Sequence, residues 1–121
     1  MNSELEESSI EEITVQELNT KFDDSDLLLD VREEYEFLEL RASGAKLLPL
    51  DQIPNASDSL TEDQTIYIIC ASGNRSMVAC EYLSSKGFRT VNVIGGTIAW
   101  SAAGYAINRG QANESEVFRP L

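Results

Sequence analysis

Apolar positions along the chain fall into short blocks whose spacing alternates between two periods. Leu27-Leu28-Leu29-Asp30-Val31 is a continuous apolar run, the pattern of a strand covered on both faces. Thr65-Ile66-Tyr67-Ile68-Ile69-Cys70 is the strongest strand candidate, β-branched or aromatic almost throughout. Val91 to Ile94 is a further strand stopped by Gly95-Gly96, and Ile13 to Val15 and Ala45 to Leu50 are shorter, the last carrying Pro49. Between these lie helical spacings. Val15, Leu18 and Phe22 share one face, and Glu33 to Leu40 turns Phe37 and Leu40 inward. Ser76 to Lys86 is the strongest helix, with Met77, Val78, Tyr82 and Leu83 as burial candidates and Lys86-Gly87 as its stop. Thr97 to Ala103 is a short helix bearing Trp100, and Asp51 to Leu60 is turn-rich with room for one helical turn. Strands alternating with helices predict an α/β domain built of βαβ units around a parallel sheet. In such sheets ligands gather beyond the carboxyl ends of the strands. That directs attention to Asp30-Val31-Arg32 and to Cys70 onward.

Composition narrows the chemistry. The chain has 121 residues, the size of one domain, with 42% hydrophobic and 25% charged residues. It has no histidine, which excludes histidine-based catalysis, histidine-ligated metals and a Ser-His-Asp triad. Two cysteines exclude a disulfide scaffold and suit a reducing, cytoplasmic setting. No apolar run approaches the roughly 20 residues of a membrane span. The net charge of −12 is wholly confined to residues 1–40, which hold 14 acids and 2 bases; residues 41–121 hold 7 of each. Nucleic acid and anionic membrane surfaces are therefore excluded as expected partners, while a basic protein partner remains open. Residues 1–12 read as a mobile acidic leader, and residues 108–121 as a comparably polar C-terminal tail.

The segment Cys70-Ala71-Ser72-Gly73-Asn74-Arg75-Ser76 joins the best strand to the best helix. A chain curling from strand into helix points successive N–H groups inward, a nest for an anion. The helix N-terminus adds partial positive charge, Gly73 permits the turn, and Arg75 supplies a cation. All of these favour thiolate over thiol and predict a Cys70 pKa below about 8.5. An inert cysteine closing a core strand is the structural alternative. Cys80, ten residues on, reads as a small apolar helix residue, with resolution of an oxidised Cys70 as the redox alternative. Trp100 and Tyr105 read as core packing.

Four blocks in order resemble the single-domain rhodaneses, a family of sulfurtransferases. They are Leu28-Leu29-Asp30-Val31-Arg32-Glu33 with Glu36-Phe37, Gly44 to Leu50, Ile69 to Ser76, and Gly95-Gly96-Thr97-Ile98-Ala99-Trp100 with Ala103-Gly104-Tyr105. The resemblance spans residues 13–107 and implies a rhodanese-like three-layer α/β/α domain with a central, mainly parallel five-stranded sheet. It implies that Cys70 takes sulfane sulfur from a small anionic donor such as thiosulfate, or from a persulfide-bearing protein, and passes it to cyanide or a thiol. Ala71, Ser72, Gly73, Asn74 and Arg75 would bind the anionic sulfur. Asp30, Arg32 and Ser76 would support the loop, Asp30 by pairing with Arg75. Neither cofactor nor metal is implied, and the chain is taken as a monomer. One departure stands out: Leu40-Arg41-Ala42-Ser43-Gly44-Ala45 replaces the family's Gly-His-Ile-Pro-Gly-Ala. Two other readings stay open. Phosphatases and arsenate reductases of the same fold place five residues between Cys and Arg, against four here, and many carry His where Ile69 stands. A docking module without catalysis would hold no transferable sulfur.

Overall fold

The computed structural model describes residues 10–120; most of the expected acidic leader, residues 1–9, lies outside them, as does residue 121. The chain order is β1 (Glu11–Ile13), α1 (Val15–Lys21), β2 (Leu27–Asp30), α2 (Glu34–Glu39), β3 (Arg41–Ala42), β4 (Lys46–Leu47), α3 (Ile53–Ala56), β5 (Thr65–Ile69), α4 (Asn74–Ser85), β6 (Arg89–Val93), α5 (Gly96–Ala102) and β7 (Ile107–Asn108). Five strands form one sheet in the order β1-β6-β5-β2-β4. Every neighbouring pair in it is parallel. A separate antiparallel pair joins β3 to β7.

Strand alternation sorts the core into two layers. Leu28, Tyr67, Ile69, Val91 and Val93 face one side, packed with Leu18, Phe37 and Trp100 from α1, α2 and α5. Leu27, Leu29, Ile66, Ile68 and Cys70 face the other, packed with Ile53 of α3 and Ala79, Cys80 and Leu83 of α4. Helices thus cover both faces, giving three layers.

Three local differences from the sequence reading have physical causes. The first strand starts at Glu11, so Glu11 and Glu12 belong to the sheet rather than the leader. It ends at Ile13 because Thr14 caps α1 in a reciprocal capping box with Glu17. Helix α4 buries Ser76, Ala79, Cys80 and Leu83 and leaves Val78 exposed, a face rotated away from the one predicted. Small side chains there let the helix lie close on the sheet. Finally, residues 108–120 do not hang free. Phe118 N–H donates to Leu47 O at 3.0 Å, and Glu116 forms an ion pair with the almost fully buried Arg41 at 2.7 Å. Arg41, one of the residues that depart from the family pattern, also donates to the carbonyls of Phe37, Gly110 and Gln111. Among the described residues no helix is long and apolar enough to cross a membrane.

Candidate active site

Strands β2 and β5 are neighbours, and their carboxyl ends meet: Val31 N–H donates to Ile69 O at 3.0 Å. Asp30 and Cys70 therefore arrive side by side from distant stretches of sequence. Beyond Cys70 the chain turns through Gly73, whose φ of +115° favours glycine, and enters α4 at Asn74. The loop is held from outside by α5. Thr97 N–H donates to Cys70 O at 2.8 Å and Ile98 N–H to Ala71 O at 3.1 Å. Tying these carbonyls outward leaves the loop's N–H groups to face inward. Gly96 is required for that contact, because a Cβ there would lie 2.5 Å from both carbonyl oxygens.

Cys70 is almost fully buried. Its Sγ accepts from Gly73 N–H at 3.1 Å and lies 3.3 Å from Ser76 Oγ. Burial raises the thiol pKa, but hydrogen bonds from Ser76, Gly73 and Ser72 outweigh it, so Cys70 lies below its ordinary value. Cys80 is the contrast: it is fully buried in the core, and burial pushes its pKa up to about 12. It is poorly suited to thiolate chemistry.

The charged residues pair differently from the expectation. Asp30 does not meet Arg75. Its carboxylate takes Arg32 Nε at 3.0 Å and Nη2 at 2.9 Å, and Arg32 Nη2 also donates to Leu40 O at 2.7 Å. Arg75 instead makes a two-pronged pair with Glu36 of α2, at 2.9 and 3.0 Å. Two acids and two bases stand near adjacent strand ends, and sequence offers no rule for which pairs with which. The Arg75 bonds hold Glu36 below the usual carboxylate range. Ser72 and Asn74 are exposed on the loop, and Ala71 and Gly73 are half-buried.

Sequence reasoning missed a buried polar chain behind the thiol. Ser76 Oγ donates to Asn92 Oδ1 at 2.5 Å. Asn92 Nδ2 donates to Glu12 Oε2 at 2.9 Å and to Gly73 O at 3.4 Å, which fixes the amide's orientation. A polar Asn between Val91 and Val93, in the apolar half of β6, was the available signal. Among the described residues, no three metal-ligating side chains cluster.

Comparison with known proteins agrees with this geometry. The family described as "Rhodanese-like domain" matches residues 14–103, and the chain belongs to it. The chain is 42% identical over 93 residues to the Bacillus subtilis (strain 168) protein named "Putative sulfurtransferase YtwF", covering 75% of this chain and 90% of that one. It is 35% identical over 101 residues to the Allochromatium vinosum protein named "Sulfurtransferase", covering 81% and 94%. Among solved structures, a rhodanese-like domain protein from Staphylococcus aureus superposes with a TM-score of 0.71 at 38% identity, covering 75% of this chain and 91% of that one.

Proposed function

We propose that this chain is a sulfurtransferase that carries sulfane sulfur on Cys70. The observation that carries the reading is a buried thiol at a strand end whose sulfur accepts from the Gly73 N–H and lies against the Ser76 hydroxyl. Deprotonated Cys70 attacks the outer sulfur of thiosulfate. The S–S bond of the donor breaks, sulfite leaves with the electron pair, and Cys70 holds a persulfide. Cyanide or a thiolate then attacks the terminal sulfur, and Cys70 departs as thiolate. Sulfur is moved with no net electron transfer, so no cofactor enters. The loop donors that stabilise the thiolate also stabilise the persulfide anion, because both present negative sulfur to the same N–H groups. Arg32 fixes Asp30 and Arg75 fixes Glu36, which locks the two walls of the loop. Protein persulfides are donors of the same chemical class as thiosulfate, and a reducing cytoplasm keeps Cys70 as a free thiol between cycles.

The test is intact mass after incubation with thiosulfate, for wild type and Cys70→Ser, with and without cyanide. Wild type alone should gain about one sulfur atom and lose it to cyanide. Equal gain on Cys70→Ser, or no gain from thiosulfate or a protein persulfide, overturns the reading.

A further inference from the structure

The buried polar chain behind the thiol ends on an acid. Asn92 of β6 is 2% exposed, and Glu12 stands beside it in the parallel register of β1. Asn92 Nδ2 donates to Glu12 Oε2 at 2.9 Å, and Asn92 Oδ1 accepts from Ser76 Oγ at 2.5 Å. Ser76 Oγ in turn lies 3.3 Å from Cys70 Sγ. Glu12 is exposed, and among the described residues it makes no ion pair. The group it does hold is the Asn92 amide.

An anion on Nδ2 polarises that amide and makes Oδ1 a stronger acceptor, because successive hydrogen bonds reinforce one another. The Ser76 proton is thereby drawn toward Asn92 and away from sulfur. The consequence depends on where the sulfur charge sits. In the thiolate it sits on Sγ, and Ser76 serves it only by giving up Asn92. In the persulfide it has moved to the outer sulfur, Sγ is a neutral bridging atom, and Ser76 keeps its bond to Asn92. The chain from Glu12 thus opposes the thiolate and leaves the persulfide untouched.

We infer that Glu12 is a positioning residue for sulfur transfer: acting through Asn92 and Ser76, it biases Cys70 toward the sulfur-loaded state. This rests on the sulfurtransferase reading above. In loading, Cys70 thiolate and thiosulfate give Cys70–S–S⁻ and sulfite; in discharge, Cys70–S–S⁻ and cyanide give Cys70 thiolate and thiocyanate. Glu12 makes the thiolate a stronger nucleophile in the first step and a poorer leaving group in the second.

The experiment uses the full chain with Glu12→Gln, which keeps an acceptor for Asn92 and removes the charge. The control is Glu11→Gln, an equal change of net charge at the neighbouring position of β1, which strand alternation places on the other face of the sheet. Each variant is equilibrated with thiosulfate and sulfite at a fixed ratio, at a pH where Cys70 is ionised, and the persulfide is counted by intact mass. Relative to Glu11→Gln, Glu12→Gln should lower the loading constant about twofold to threefold, since a charge-assisted hydrogen bond is roughly twice as strong as a neutral one. Discharge to cyanide should quicken, and the Cys70 pKa, read by iodoacetamide alkylation, should fall by about 0.4, the same factor. In a Ser76→Ala background Glu12→Gln should change none of these. Loading and discharge that both slow would mark Glu12 as a structural prop and overturn the inference. An undiminished effect without the Ser76 hydroxyl, or an equal one from Glu11→Gln, would overturn it in favour of a field acting across space. Failure of Cys70 to load from any donor defeats the transfer reading, and this one with it.

Discussion

Removing the Ser76 hydroxyl tests how the thiolate is held. Ser76 has one proton, and the structure gives it two claimants: Asn92 Oδ1 at 2.5 Å and Cys70 Sγ at 3.3 Å. Asn92 cannot turn away, because its Nδ2 is held by Glu12 and Gly73 O. With Cys70 protonated, the Ser76 proton points to Asn92 and the thiol donates to Ser76 Oγ. With Cys70 ionised, the hydroxyl gains by rotating toward sulfur. A hydrogen bond to a charged acceptor contributes about 1.5–3 kcal/mol and a neutral one about 0.5–1.5 kcal/mol. The net gain is therefore about 1 kcal/mol, or about 0.7 of a pKa unit. Ser76→Ala should raise the Cys70 pKa by about that much. Asn92→Leu removes the competing acceptor and should lower it by a similar amount. The double variant should titrate close to Ser76→Ala alone, since the short Asn92–Ser76 bond is the main route from Asn92 to the thiol and its contact to Gly73 O, at 3.4 Å, is the weaker one. The assay is the pH dependence of Cys70 alkylation by iodoacetamide, read by peptide mass. A rise in pKa on Asn92→Leu, or additive effects in the double variant, would refute the reasoning.

Three other perturbations probe different parts of the molecule. Arg41→Ala leaves Glu116 without its partner and frees residues 109–119, so it should cost about 3 kcal/mol in denaturant unfolding and open that segment to limited proteolysis. Cys80, with its pKa raised to about 12, contributes stability that is complete below its unfolded pKa of about 8.5 and is lost as pH rises through about 12. Cys80→Ala should therefore lose less stability than wild type between pH 9 and 12, and parallel curves would contradict its burial as a neutral thiol. Glu36→Gln releases the Arg75 guanidinium, so kcat/KM for thiosulfate should rise several-fold at low salt. No change would mean that Arg75 does not meet the donor.

The layers of this fold were legible because each strand carries its own burial pattern. Leu27 to Leu29 and Ile66 to Ile69 are apolar on both faces and are buried between helices on both sides. The strand–loop–helix around Cys70 was legible for the same local reason. Pairings across distant elements were not. Asp30 and Arg75 looked like partners because both belong near strand ends, yet Arg32, two residues from Asp30, reaches it first and leaves Arg75 to Glu36. The C-terminal segment looked unanchored because its own residues are polar; what anchors it is Arg41, far back in the chain, and a cation buried among carbonyls leaves no mark in the segment it holds. Glu12 read as one more acid of the leader, and only its register beside Asn92 on β6 shows it as a support of the site.

The uneven charge bears on donor encounter far more than on thiolate formation. Of the acids of the first 40 residues near the loop, Asp30 is matched by Arg32 and Glu36 by Arg75, so each of these pairs acts at short range as a dipole, while Glu12 is held by the Asn92 amide. The donors facing Sγ are N–H groups of Gly73, Ser72 and Ser76, which do not titrate and are not screened by salt. Diffusional approach is a different matter. A thiosulfate dianion meets a protein of net charge −12 across solvent, where the screening length falls from about 30 Å at 0.01 M salt to about 10 Å at 0.1 M. Persulfide formation from thiosulfate should therefore accelerate over that range, while alkylation of Cys70 by uncharged iodoacetamide should stay constant at fixed pH. Measuring both on one sample separates the two terms. A thiosulfate rate that fell with salt would mean that unscreened attraction to a cation, with Arg75 the nearest candidate, governs encounter; an alkylation rate that moved with salt would mean that the acidic third reaches the thiol after all.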